Sequence, residues 1–223
     1  MTRFVLAIVL LASSLGAAAN ETPNLAPVEK WLAFQRSVRA VEADFIQVRE
    51  LRALRNGLRS EGKVWVDYSD KRFRWQTGDA ADPKTIAVKS GSILTVIQPG
   101  RERAERIDLR SAKANQGPGA AFDFATGELP DTLAELRAAF TILDVKAEND
   151  VWRVRLAPIE AKLRDSLTEV VFLIDAERFY LRGFELTFRD RSAVKTTFTR
   201  QMFNPSLDAA LFAPDLSGYS IKE

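Results

Sequence analysis

Few side chains in this 223-residue sequence are equipped to make or break bonds. It holds neither histidine nor cysteine, so a Ser-His-Asp triad, a Cys-His pair and every histidine-ligated zinc site are excluded. Two arrangements survive, a pair of carboxylates dividing acid and base roles and a serine activated by lysine. Asp123 and Glu128 come nearest to the first, but spacing alone does not bring two carboxylates together. Ser192 and Lys195 come nearest to the second; three residues apart at a strand boundary, they are sent to opposite faces by alternation. No catalytic residue, metal ligand set or cofactor is therefore expected. The basic run GRERAERIDLR (100–110) reads as a solvated strand face, because Glu102, Glu105 and Asp108 dilute its arginines. Its competing reading is a docking patch for a membrane transporter.

The apolar side chains offer more, because they can bind. Residues 62–78 read GKVWVDYSDKRFRWQTG. Val64, Val66 and Tyr68 share one face of a strand, Phe73 and Trp75 share a face across the turn, and Lys63, Asp67, Arg72, Arg74 and Gln76 point the other way. Further on, Tyr180, Phe184, Leu186 and Phe188 form a second row, opposite Leu181, Glu185 and Arg189. One face of the sheet is thus expected to be apolar over nearly its whole length, and the other wet.

The elements that carry these rows follow from the period. Residues 24–40 alternate at three and four, with Asn24 placed to cap and Pro27 tolerated in the opening turn, so a helix is expected there. From Val41 the period is two, giving strands at 41–52, 58–68, 71–77, 84–89, 92–98 and 103–109. Their breaks carry turn residues such as Asn56-Gly57, Ser90-Gly91 and Pro99-Gly100. Residues 115–139 interrupt the sheet. AAFDFATGEL reads as a short helix or an irregular flap, and DTLAELRAAF as a helix capped by Asp131 or Thr132. Strands resume at 140–147, 151–157, 167–175, 180–190 and 193–202. Eleven strands joined by short turns imply a mainly β, antiparallel meander curled into a half-barrel, with two or three helices. So few helices leave part of a wide concave face free for an apolar guest.

The first nineteen residues, MTRFVLAIVLLASSLGAAA, have a basic start, an apolar run and a small-residue A-x-A site at Ala17 to Ala19. They read as a cleaved secretory signal peptide, which leaves residues 20–223 as one exported, soluble domain, in the periplasm of a bacterium with two membranes. Losing Arg3 takes the 32 basic residues to 31 against 30 acidic ones. A nearly neutral chain is a poor partner for nucleic acid. Without cysteine it carries neither disulfides nor a lipid anchor of its own.

The run ADFIQVRELRALRNGLRSEGKVWV, with Phe45-x-Gln47, Leu51-x-x-Leu54, Leu58-x-Ser60-x-Gly62 and then Phe73-x-Trp75, resembles the periplasmic outer-membrane lipoprotein carriers, the LolA-like family. The ending LDAALFAPDLSGYSI is similar to that family's C-terminal pattern. The resemblance implies an unclosed β half-barrel of eleven strands with a helical lid over an apolar cavity. It also implies a carrier that does no chemistry: a monomer that takes a lipoprotein or other acylated molecule from an inner-membrane transporter to an outer-membrane acceptor. Carried onto this sequence, the acyl cavity would be lined by Phe45, Val64, Val66, Phe73, Trp75, Phe184, Leu186 and Phe188, and the lid would present Phe122, Phe124 and Leu133. One departure stands out. The family places an arginine followed by proline four residues before the Phe of Phe-x-Trp, where it helps hold the lid. Here that position is Ser69 or Tyr68 with no proline after it, so the resemblance supplies neither the latch nor the cargo. The alternative from another class is a non-catalytic periplasmic scaffold whose outer sheet face binds an envelope protein or an acidic polymer.

Overall fold

The computed structural model describes residues 23–51, 56–79, 81–110 and 130–222. The amphipathic stretch near the start forms helix α1 (Ala26–Gln35), entered through Pro27 in its first turn, with Asn24 Oδ1 accepting from the Ala26 N–H at 3.1 Å. It ends short of residue 40 because the backbone N–H groups of Arg39 and Ala40 both donate to Asn204 Oδ1, at 2.6 and 3.3 Å, which draws the chain into the sheet.

Six strands follow: β1 (Ala40–Glu50), β2 (Leu58–Asp67), β3 (Arg72–Gly78), β4 (Pro83–Ser90), β5 (Ile93–Gln98) and β6 (Arg103–Asp108). Helix α2 (Leu133–Ala139) comes next, capped by Thr132 Oγ1, which accepts from the Glu135 N–H at 3.1 Å. The Glu135 carboxylate in turn accepts from the Asp131 N–H at 2.9 Å. The second run comprises β7 (Phe140–Glu148), β8 (Val151–Pro158), a single helical turn α3 (Ala161–Arg164), β9 (Leu167–Asp175), β10 (Leu181–Phe188) and β11 (Ala193–Phe203). All eleven strands read from the sequence are present. A short twelfth, β12 (Ser220–Lys222), is added in parallel on β6. The turn expected at Gly91 takes the left-handed conformation, as does Asn149 between β7 and β8, a conformation that glycine and asparagine tolerate.

The strands form one unclosed sheet in the order β12-β6-β5-β4-β3-β2-β1-β11-β10-β9-β8-β7. The β1–β11 pair joins a front half, β1–β6, to a back half, β7–β11. On the inner face the back half packs under both longer helices. Val28, Trp31 and Leu32 of α1 and Leu136 of α2 bury against Phe140, Val154, Leu156, Leu167, Val170, Phe172, Ile174, Phe184 and Leu186. The front half's inner cluster comes from strands alone, with Ala43, Phe45, Val64, Phe73, Trp75, Ala87 and Leu94 buried together.

The outer face departs from the expectation that it is wet throughout. Over the back half it is wet: Arg153 pairs with Glu185 at 2.6 Å and Arg155 with Glu169 at 2.6 Å. Over β3–β6 of the front half it is a second core. Ile86, Val88, Ile97 and Ala104 are buried with Phe212, and Trp65, Leu207, Leu211, Leu216 and Tyr219 pack around them. The physical reason lies in β4 and β5, whose IAV and ILTVI runs are apolar on both faces and therefore need a cover on both. The segment after β11 supplies it. Arg74 and Gln76, read as solvated, are drawn into this layer: Arg74 donates to the Leu211 carbonyl at 3.1 Å and to Gln76 Oε1 at 2.9 Å. Burial holds the Arg74 guanidinium below its ordinary basicity.

A further correction concerns Leu181. The register of β10 against β9 slips between Leu181 and Gly183, and this bulge turns Leu181 into the inner core. Its neighbour Arg182 is turned outward to Asp150 and Asp175.

Candidate functional site

The residues named as an acyl-binding wall lie on one continuous inner face. Phe45, Val64, Phe73 and Trp75 belong to the front cluster, with Val66 packed against its edge. Phe184 and Leu186 belong to the back cluster, where Phe188 is partly buried. The ring that joins them, Phe198 on β11, was not singled out from the sequence. It packs against both clusters and lies 6.5 Å from Trp75 and 5.9 Å from Phe184, centroid to centroid. It sits within a threonine-rich strand, Lys195-Thr-Thr-Phe198-Thr, where a single aromatic gives no pattern to read. The outcome is a row of rings running from Phe73 through Trp75, Phe45, Phe198 and Phe184 across both halves.

This row depends on a missing side chain. Phe45 and Trp75 stack with centroids 3.9 Å apart although β2 runs between their strands. Gly62 pairs with Phe45 at that point; a Cβ there would stand 2.7 Å from Phe45 Cζ and 1.9 Å from the Gln76 carbonyl oxygen. Glycine is what lets the two rings meet over the middle strand.

Polar groups enter the inner face at one end of β1. Gln47 and Thr196 are both buried, and Gln47 Nε2 donates to Thr196 Oγ1 at 3.1 Å. Arg49 Nε donates to Gln47 Oε1 at 3.2 Å, and Arg49 itself is exposed.

Of the three lid residues, Leu133 lies on α2 and packs against the back cluster. Phe122 and Phe124 lie outside the described residues, as do Asp123 and Glu128. Tyr68, just after β2, contacts Gln35 at the end of α1. Burial pushes its phenol above the ordinary value, the Asp131 carboxylate adds to that rise, and a hydrogen bond with Gln35 at the end of α1 opposes it. Arg36 donates to the Asp131 carbonyl at 2.9 Å. The β2–β3 turn, α1 and the start of α2 are thereby gathered at one point.

The Ser-Lys arrangement does not form. Ser192 donates to Asp190 at 2.6 Å, while Lys195 pairs with Glu50 at 3.1 Å. No group of acidic residues among the described residues is placed to hold a metal ion. A groove of about 940 Å³ opens on the outer face, lined by Glu42, Asp44, Ile46, Lys63, Arg200 and Met202 among others, and it reaches Phe45 at Gly62. Lys63 bridges there to Glu42 at 2.7 Å and to Asp44 at 3.8 Å.

No family model and no curated protein matches the sequence. Solved structures do. An uncharacterized conserved protein from Thermus thermophilus is 7% identical with a TM-score of 0.51, covering 88% of this chain and 94% of that one. A LolA superfamily protein from Nitrosomonas europaea is 9% identical with a TM-score of 0.43, covering 86% of this chain and 97% of that one. An outer membrane lipoprotein-sorting protein domain from Vibrio parahaemolyticus is 12% identical with a TM-score of 0.48, covering 83% and 96%. At 7% identity the likeness to the Thermus thermophilus protein is one of fold.

Proposed function

We propose that this chain is an exported, non-enzymatic carrier that binds acyl chains on the inner face of its half-barrel. In this reading residues 1–19 are removed as a signal peptide and residues 20–223 act as one carrier domain. It shuttles a lipoprotein or other acylated molecule from an inner-membrane donor to an outer-membrane acceptor. The wall is Phe45, Val64, Val66, Phe73, Trp75, Phe184, Leu186 and Phe188. The observation that carries the reading is that all eight lie on the inner face in two apolar clusters bridged by Phe198, while the helices among the described residues pack over its back half only. Sheltering each methylene from water is worth about 0.8 kcal/mol, so a face of this size suits a guest made mostly of methylenes. Among the described residues no helix is long and apolar enough to cross a membrane.

The test is to purify the protein gently from a native envelope and identify bound lipid by extraction and mass spectrometry. A co-purifying acylated molecule that is lost from a Phe73→Ala, Trp75→Ala double variant with an unchanged circular dichroism spectrum supports the carrier. Protein that is consistently lipid-free and fails to bind an apolar fluorescent probe overturns it.

The groove on the outer face favours a second reading, a scaffold that binds an envelope protein there. It requires binding that weakens with salt and that Lys63→Ala and Arg200→Ala abolish, with apolar probe uptake absent.

A further inference from the structure

Successive inner-facing positions of β1 are Ala43, Phe45, Gln47 and Arg49, a change from apolar to aromatic to amide to cation over roughly 20 Å of strand. The first two are buried in the front cluster. The amide of Gln47 is buried too, held by Thr196 on one side and by Arg49 on the other. Arg49, an exposed residue, is thus held through its Nε, a bond that uses neither of the guanidinium's two terminal nitrogens. Among the described residues no carboxylate pairs with it. The neighbouring cations on the outer face of these strands behave differently, with Arg59 bound to Glu61 at 2.7 Å and Lys195 to Glu50 at 3.1 Å. Directly across from Arg49 on β2 stands Leu58, about half exposed.

We propose that Arg49 receives an anionic head group, a phosphate or carboxylate, of an amphiphile whose acyl chain lies on the inner face. The inference rests on the carrier reading and narrows its cargo to molecules with a negative charge at the chain end. A planar guanidinium with its Nε already engaged keeps two parallel N–H donors for a bidentate oxyanion. The buried Thr196–Gln47 pair fixes the direction of that fork before the ligand arrives, which lowers the ordering cost of binding. The aromatic row beginning at Phe45 then takes the tail.

The experiment titrates the wild-type protein, Arg49→Gln and Arg49→Lys with dodecyl phosphate and with an uncharged dodecyl glycoside, both below micelle formation, and separately with inorganic phosphate. The expected wild-type result is a preference of roughly tenfold for dodecyl phosphate, equivalent to about 1.4 kcal/mol. Arg49→Gln is expected to erase the preference without changing glycoside affinity, and Arg49→Lys, which keeps the charge but loses the fork, to keep only part of it. Inorganic phosphate alone is expected to bind far more weakly than either amphiphile. Equal wild-type affinity for both amphiphiles overturns this inference and leaves the carrier standing, whereas failure to bind either overturns both. Inorganic phosphate binding as tightly as dodecyl phosphate overturns the assignment to a head group and points to a free-anion site. A fourth arm uses vesicles of neutral lipid with one-third anionic lipid. If Arg49→Gln abolishes vesicle binding while keeping the dodecyl phosphate preference, Arg49 is a membrane contact and the inference falls.

Discussion

The two halves of the sheet are inverted images in how they are covered. The back half is dry inside, under α1 and α2, and wet outside, where arginine–glutamate pairs lie over β8, β9 and β10. The front half is dry outside only over β3–β6, under the segment that follows β11, while β1 and β2 carry ion pairs such as Lys63–Glu42 there; its inner aromatic cluster is built from strands alone among the described residues. The back half therefore spends its inner face on its own helices. In the carrier reading it is the front half's inner cluster, over which no helix packs among the described residues, that meets the guest.

The largest expected effect breaks the comparison at its back end. Trp31 is fully buried against Phe172, with ring centroids 5.0 Å apart. Trp31→Ala should cost about 3–5 kcal/mol in denaturant unfolding, because it leaves a large cavity between helix and sheet. The corresponding break at the front is on the outside. Phe212→Ala should cost about 3 kcal/mol and raise binding of a dye sensitive to exposed apolar surface, since it uncovers Ile86, Val88 and Ile97. A front-half variant that loses nothing would mean the outer layer is not a core.

Gly62→Ala sharpens the comparison on the inner side. The added methyl meets a backbone carbonyl that cannot move without breaking the β2–β3 pairing, so a loss of about 1–3 kcal/mol is expected, together with a changed near-ultraviolet spectrum as Phe45 and Trp75 separate. The smallest effect is electrostatic. Burial alone would raise the Asp67 carboxyl, but the Arg72 guanidinium at 2.6 Å and the backbone N–H groups of Ser69 and Asp70 outweigh it and hold the group below the usual carboxylate range. A depressed folded-state value stabilises above the ordinary carboxylate range and loses that contribution as pH falls through the folded-state value. The stability gap between wild type and Asp67→Asn should therefore be full at neutral pH and shrink below about pH 4. A gap that is constant down to pH 2 would contradict the assignment.

Period-two alternation made every long strand legible, because each presents at least one face to a core. The register slip at Leu181 was not legible: a bulge inserts one residue and reverses the parity on which face assignments rest. The outer core was legible only in part. The unbroken apolar runs of β4 and β5 signalled burial on both sides, but nothing in Leu207, Leu211 and Phe212 said which surface they would cover, since that segment has no regular period. Strand β12 offers three residues, too few for any pattern. Among the candidate site residues, the aromatics of β3 and β10 could be read from their rows. Phe198 and the Gln47–Thr196 pair owe their positions to the pairing of β1 with β11, strands about 150 positions apart in the chain, a register that local sequence does not encode.

The central claim is that acyl chains lie on the inner face of the front half, and photolabelling at residue resolution tests it most directly. A long-chain fatty acyl probe carrying a diazirine near its tail is irradiated with the protein, and the modified residues are mapped by mass spectrometry. The account predicts labels on alternate residues of adjacent strands, Val64, Phe73 and Trp75, with Glu42, Ile46, Lys63 and Met202 of the outer groove unmarked. Labels confined to that outer set, or no saturable labelling at all, would contradict it.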